Sequence, residues 1–129
     1  MILCHVIDDF VLQPICLSKL KQKDWWFDNV FKDYNGNYDW RKQEKGKNDY
    51  KMALLMHSLS WSAMILLPFM FFSEISGSVL YWLFMINAFI HYIIDDLKCN
   101  EKKLNLMQDQ LIHLGQILLT FLIIILILY

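Results

Sequence analysis

LIHLGQILLTFLIIILILY, residues 111 to 129, carries no formal charge unless His113 is protonated. It is long enough to cross the hydrocarbon of a bilayer, and its unbroken Ile/Leu tail offers no face to water. Upstream, ALLMHSLSWSAMILLPFMFF (53 to 72) and SVLYWLFMINAFIHYIIDDL (78 to 97) match it in span. The 129 residues are 57% hydrophobic, with five Trp and nine Phe, rich for a water-soluble chain of one-domain length. These features predict an all-α membrane protein: a bundle of three transmembrane spans and a short N-terminal helix, in one domain over residues 1 to 129.

The N-terminal segment, 2 to 18, has helical apolar spacing but contains Asp8 and Asp9. At about 1.5 Å of rise per residue it is barely long enough to span, so it is either a short fourth span or a helix that enters part way. It lacks a basic n-region, and its acids interrupt the apolar core a signal peptide requires. Cys4, Cys16 and Cys99 have no metal-ligand spacing and read as free thiols.

All twelve Lys and Arg fall between residues 19 and 51 or at Lys98, Lys102 and Lys103, while SEISGS (73 to 78) has none. If the three spans alternate, both basic regions lie on one side, and the positive-inside rule makes that side cytoplasmic. In a bacterial inner membrane, loops 21–50 and 98–104 would then be cytoplasmic and the C-terminus outside. Tyr129, Tyr81 and Trp82 would anchor the outer interface. The stretch 21–50 is a charged insert with three Trp and a turn signal, NGN, and reads as a headgroup-surface element or a partly ordered loop.

Polar residues recur at helical spacing inside the apolar segments. His5 and Asp9, His91 and Asp95, and Asp109 and His113 are each four apart and share a helix face. Gln13 continues the first stripe, Asn87 the second, and Gln116 and Thr120 the third; His57 sits near the start of its own segment. By helical rise, His57, His91, Asp95, Asp109 and His113, with Asp9 and Gln13, reach one level within roughly 10 to 15 Å of the cytoplasmic surface; His5 lies deeper, and Asn87, Gln116 and Thr120 extend the layer modestly. Asp8 and Asp96 fall off these stripes and are expected to be solvated or to face Lys98. Lys98 could hold a phosphate near the site but is expected rather to snorkel, Pro68 to kink its helix, and Trp61 to serve packing.

An aspartate near the centre of a membrane helix costs roughly 2.5–3.5 kcal/mol, less near the interface. Pairing inward removes most of that cost. Two explanations fit: reciprocal hydrogen bonds among His, Asp, Asn and Gln, or a shared cation. For a cation the ligand pool is His57, His91, Asp95, Asp109 and His113, with His5 at its edge. Imidazole with carboxylate suits a divalent metal such as zinc, manganese or iron. Asp9 is then the candidate general base, with Gln13 and Gln110 as orienting groups. The chain carries no phosphate loop, nucleophilic-serine motif or nucleic-acid module.

HVIDDFVLQ, LLMHSLSW, HYIIDDLK and DQLIH together resemble a family of small phage and bacterial polytopic membrane proteins of unassigned function. That family's pattern is HxxxDFxLQ, LxxHxxxH, HxxxDxxK and DQxxH. The resemblance covers the chain in order, apart from the insert. It departs at Trp61, where the pattern has a second histidine. It implies the architecture above and a phage or prophage setting. More loosely, the chain resembles small membrane-bound metal-dependent hydrolases.

The activity expected on these grounds is metal-dependent hydrolysis of a lipid or lipid-linked phosphoester. The alternative is a non-enzymatic membrane protein that acts on the host envelope or binds a cytoplasmic partner through 21–50, its His/Asp layer being structural. The bilayer is the expected partner in both cases, and self-association is compatible with the all-apolar tail.

Overall fold

A computed structural model describes the chain except residues 13–14, 34 and 73–74 and the side chains of Ile15, Cys16 and Phe72. Gln13, one of the candidate orienting groups, therefore lies outside the described residues. The described residues are helical, without strands apart from an isolated bridge between Lys32 and Tyr38. The helices are α1 (Ile2–Ile7), α2 (Ile15–Leu20), α3 (Lys23–Asn29), α4 (Trp40–Gly46), α5 (Asp49–Phe72), α6 (Gly77–Cys99) and α7 (Leu106–Leu128). A π turn, Asp8–Leu12, extends α1.

Among the described residues, α5, α6 and α7 are long and apolar enough to cross a membrane, as the sequence predicts. The six residues of α1 and five of the π turn rise only about 16 Å, half the hydrocarbon thickness. This short N-terminal helix packs along α5, and Met1 lies against the core that Trp61, Ile65 and Ile117 form. Pro68 sits within α5 without ending it.

The bundle buries a polar layer beside its apolar core and is apolar outside. Leu118, Leu119, Leu122, Met85, Ile86 and Phe89 are exposed, as are Leu3, Phe10 and Val11 on the N-terminal segment. All four histidines, with Asp8, Asp95, Asp109, Asn87 and Thr120, are buried. Water would not tolerate that arrangement, whereas hydrocarbon around the bundle favours it. Ser62 Oγ, donating to the Phe84 carbonyl at 2.7 Å, ties α5 to α6.

Local chemistry sets the helix ends. Asn105 and Gln108 form a capping box at the start of α7: Gln108 N donates to Asn105 Oδ1 at 2.8 Å, and Asn105 N to Gln108 Oε1 at 3.0 Å. In the insert, Asp33 Oδ1 accepts from the backbone of Asn35 and Asn37, and Gly36 takes φ 80°, so the NGN turn is built as its residues suggest. The insert folds on itself: Phe31 is buried, packed between Trp26 and Phe27. Gly46 leaves room for that ring, since a Cβ there would lie 2.8 Å from Phe31 Cε1.

Candidate metal centre

Four elements meet at one level. The stripe spacing places His91 and Asp95 on α6 facing Asp109 and His113 on α7, while α5 contributes His57 and Trp61. Asp8 and Asp9 both lie in the π turn, three and four residues after His5, and both reach His57. Asp8 is thus buried rather than solvated: it accepts from Ser60 Oγ at 2.7 Å, and its Oδ2 lies 3.6 Å from His57 Nδ1.

The histidines are each no more than 2% exposed. His91 packs against two rings, its centroid 4.2 Å from that of Trp61 and 4.2 Å from that of His113, which are themselves 5.5 Å apart. Asp95 lies at the centre. Its Oδ1 is 3.6 Å from His113 Nε2 and 3.8 Å from His91 Nε2, and its Oδ2 is 3.6 Å from His57 Nε2. Asp9 Oδ1 is 3.5 Å from His57 Nε2, and Asp109 Oδ1 is 3.2 Å from His113 Nε2.

Most of these separations exceed hydrogen-bond length, and the shortest is not aligned for a hydrogen bond. Among the described residues, neither nitrogen of His91 or His113 has a hydrogen-bond partner, nor have Asp109 Oδ1 and Asp8 Oδ2. The next layer down differs. Gln116 Nε2 donates to the carbonyl and Oδ1 of Asn87 at 2.9 Å each, and Thr120 Oγ1 to Asn87 Oδ1 at 3.0 Å. The lower layer is tied across helices by short hydrogen bonds, though Gln116 Oε1 stays unpartnered; in the upper layer the rings of His91 and His113 make none.

Two overlapping donor sets have all their ligand atoms within 4.8 Å of one another: Asp9, His57 and His91, and His91, Asp95 and His113. Donors bound to one zinc-like ion at about 2.0–2.1 Å stand roughly 3.3 Å apart in a tetrahedron, close to the spacing found here. Charge agrees. With neutral imidazoles, Asp8, Asp9, Asp95 and Asp109 outweigh Lys21 and Lys98 by two negative charges, which one divalent cation cancels. Shared use of His91 makes this one pocket.

Lys21 is the site residue that the sequence reading missed, and Lys98 lies closer in than a snorkelling lysine would. Lys21 Nζ donates to Asp95 Oδ2 at 2.6 Å in a fully buried pair, and Lys98 Nζ to Asp109 Oδ2 at 2.5 Å. Lys98 therefore pairs inward instead of snorkelling, and Asp96 accepts from Asn100 Nδ2 at 2.6 Å instead of facing Lys98. A clasp positions Lys21: Asn100 accepts from Lys23 N at 2.7 Å and donates to the Lys21 carbonyl at 3.2 Å. Lys102 pairs with Asp24 at 2.7 Å, and its ammonium holds that exposed carboxyl below the usual range.

Beside these lysines lies a cavity of about 270 Å³. Asp9, Lys21, Lys98 and Gln110 supply its polar wall, and Phe10 and Leu106 its apolar lip. Gln110 donates to Asp109 Oδ2 at 3.1 Å, as an orienting residue would.

His5 stands apart from both donor sets. Its Nδ1 accepts from Trp61 Nε1 at 2.8 Å and lies 3.5 Å from Asp9 Oδ2. Trp61, where the resembled pattern has histidine, thus does more than pack: it holds His5 and covers His91. Asp9, expected as a base, lies both in a donor set and on the cavity wall. Cys99 lines the cavity but joins neither set, and Cys4 and Cys99 are free thiols. No known family, characterised protein or solved structure matches this chain.

Proposed function

We propose that this chain is an integral membrane, metal-dependent hydrolase that acts from the cytoplasmic leaflet on a phosphoester carried by a lipid. One observation carries the reading: a buried layer of carboxylates and imidazoles, with both nitrogens of His91 and His113 unpartnered, is spaced for coordination directly above a layer tied by short hydrogen bonds. A buried polar group without a partner costs about 1–3 kcal/mol, so a ligand for the open layer would stabilise the bundle.

His91, Asp95 and His113 would hold the ion, with Asp109 beside His113 to complete the donors. Once bound, a divalent ion supplies Lewis acidity toward a phosphoryl oxygen and lowers the pKa of water. Asp9, on the cavity wall and backed by His57, takes the proton as the water oxygen forms its bond to phosphorus. The ester P–O bond breaks, and the departing oxygen receives that proton. Gln110 keeps Asp109 oriented. The basic residues at this end of the bundle support the cytoplasmic assignment.

Phospholipid hydrolysis by the protein in nanodiscs tests this reading. Chelation is expected to abolish activity and added manganese or zinc to restore it; turnover indifferent to chelation contradicts it.

A second reading has its own observation. The Lys21–Asp95 and Lys98–Asp109 pairs neutralise two carboxylates without any metal, as a structural polar core would. On that view the protein is a non-enzymatic membrane component, in keeping with the phage-family resemblance. Exposed Tyr38 and Trp40 of the insert would then meet a cytoplasmic partner. Asp95→Asn separates the two readings. An enzyme loses turnover while the variant stays folded; a structural core loses its fold.

A further inference from the structure

We propose that the cavity walled by Lys21, Lys98 and Gln110 is a phosphoryl-binding site in which the two lysines grip the anion's oxygens. The inference rests on the metal reading above and adds where, and through which groups, the substrate's charged end is held.

The carboxylates beneath the cavity are two-sided. Asp95 turns Oδ1 to His91 and His113 and Oδ2 to Lys21, with His57 also beside Oδ2; Asp109 turns Oδ1 to His113 and Oδ2 to Lys98. Each lysine is therefore pinned on the cavity side of a carboxylate whose other oxygen faces the donor cluster. An ammonium has three N–H donors, and the bond from Lys98 to Asp109 uses one. A lysine so pinned is preorganised, unlike a flexible surface lysine.

Charge then couples the two sites. Without a cation, Asp95 and Asp109 neutralise the lysines. A divalent ion on the Oδ1 side draws on the same carboxylates, so the ammoniums regain net positive charge toward the cavity. Anion and cation should each strengthen the other's binding, and by linkage to the same degree.

The cavity's shape favours an anion with an apolar attachment. Phe10 and Leu106 on its lip are both mostly exposed, on the side where the N-terminal segment and α7 present apolar residues outward. A phosphoryl group on a lipid and free phosphate share the chemistry recognised; only the first would use the lip.

The test uses the full chain in phosphatidylcholine nanodiscs, loaded with Mn²⁺, with orthophosphate titrated in one arm and phosphatidic acid built into the disc in the other. Mn²⁺ affinity is expected to rise in at least one arm. A rise with phosphatidic acid alone or in greater degree identifies the lipid source; a rise with orthophosphate alone identifies the free ion. Lys98→Met should weaken the anion effect roughly tenfold to a hundredfold while Mn²⁺ still binds, and Lys98→Arg should restore most of it. Normal Mn²⁺ binding with no anion effect in either arm, or an anion effect that Lys98→Met leaves intact, overturns this inference alone. Failure to bind Mn²⁺ at all overturns it together with the metal reading.

Discussion

Asp95 divides its oxygens between an ammonium and three imidazoles, and this division is what the site's chemistry depends on. Trp61 plays the complementary part, fixing His5 through its indole N–H and capping His91 with its ring. Trp61→Phe keeps the ring and removes the donor. We expect it to lower stability by about 1–3 kcal/mol, because His5 Nδ1 loses its buried partner. Metal affinity should hold, since neither His5 nor Trp61 belongs to a donor set. Paired thermal denaturation and metal titration in detergent check this; unchanged stability with lost metal would contradict it. At this scale the sequence was partly legible. Spacing of four showed His91 with Asp95 and Asp109 with His113, because a helix fixes that geometry by itself. Lys21 on Asp95, 74 residues away in the chain, depends on tertiary packing that spacing does not encode.

Elements carry these residues to one level. The three long helices were legible from length and apolar content alone, since a membrane span needs little more. The π turn was not, and Asp8 was passed over although it stands three residues after His5, a same-face spacing; it is buried on Ser60 and His57. The insert offered a turn signal and aromatic residues, but its self-packing around Phe31 arises from contacts among short helices. The capping box of α7 lies four residues before Asp109 and holds the turn that carries it. Asn105→Ala should cost about 1 kcal/mol and fray that turn. Hydrogen exchange is expected to rise over residues 106–110 and to stay level deeper in α7. Uniform protection across α7 in the variant would contradict the cap's role.

For the whole molecule, the inverted distribution of polarity joins fold to function. Lipid-facing apolar surfaces let the bundle keep its titratable groups inside, where a single basic end gives access through one polar-walled cavity. The hydrogen-bonded Asn87–Gln116–Thr120 layer holds α6 to α7, leaving the layer above it free to be spaced for another purpose. That purpose reduces to whether a cation sits among His91, Asp95 and His113. Elemental analysis of the detergent-purified protein tests this most directly. The account predicts about one divalent ion per chain, lost in His91→Ala with the helical content retained, because a bound ion supplies binding energy on the order of 10 kcal/mol. Well-folded protein that holds no metal and takes none up from added zinc, manganese or iron would contradict it.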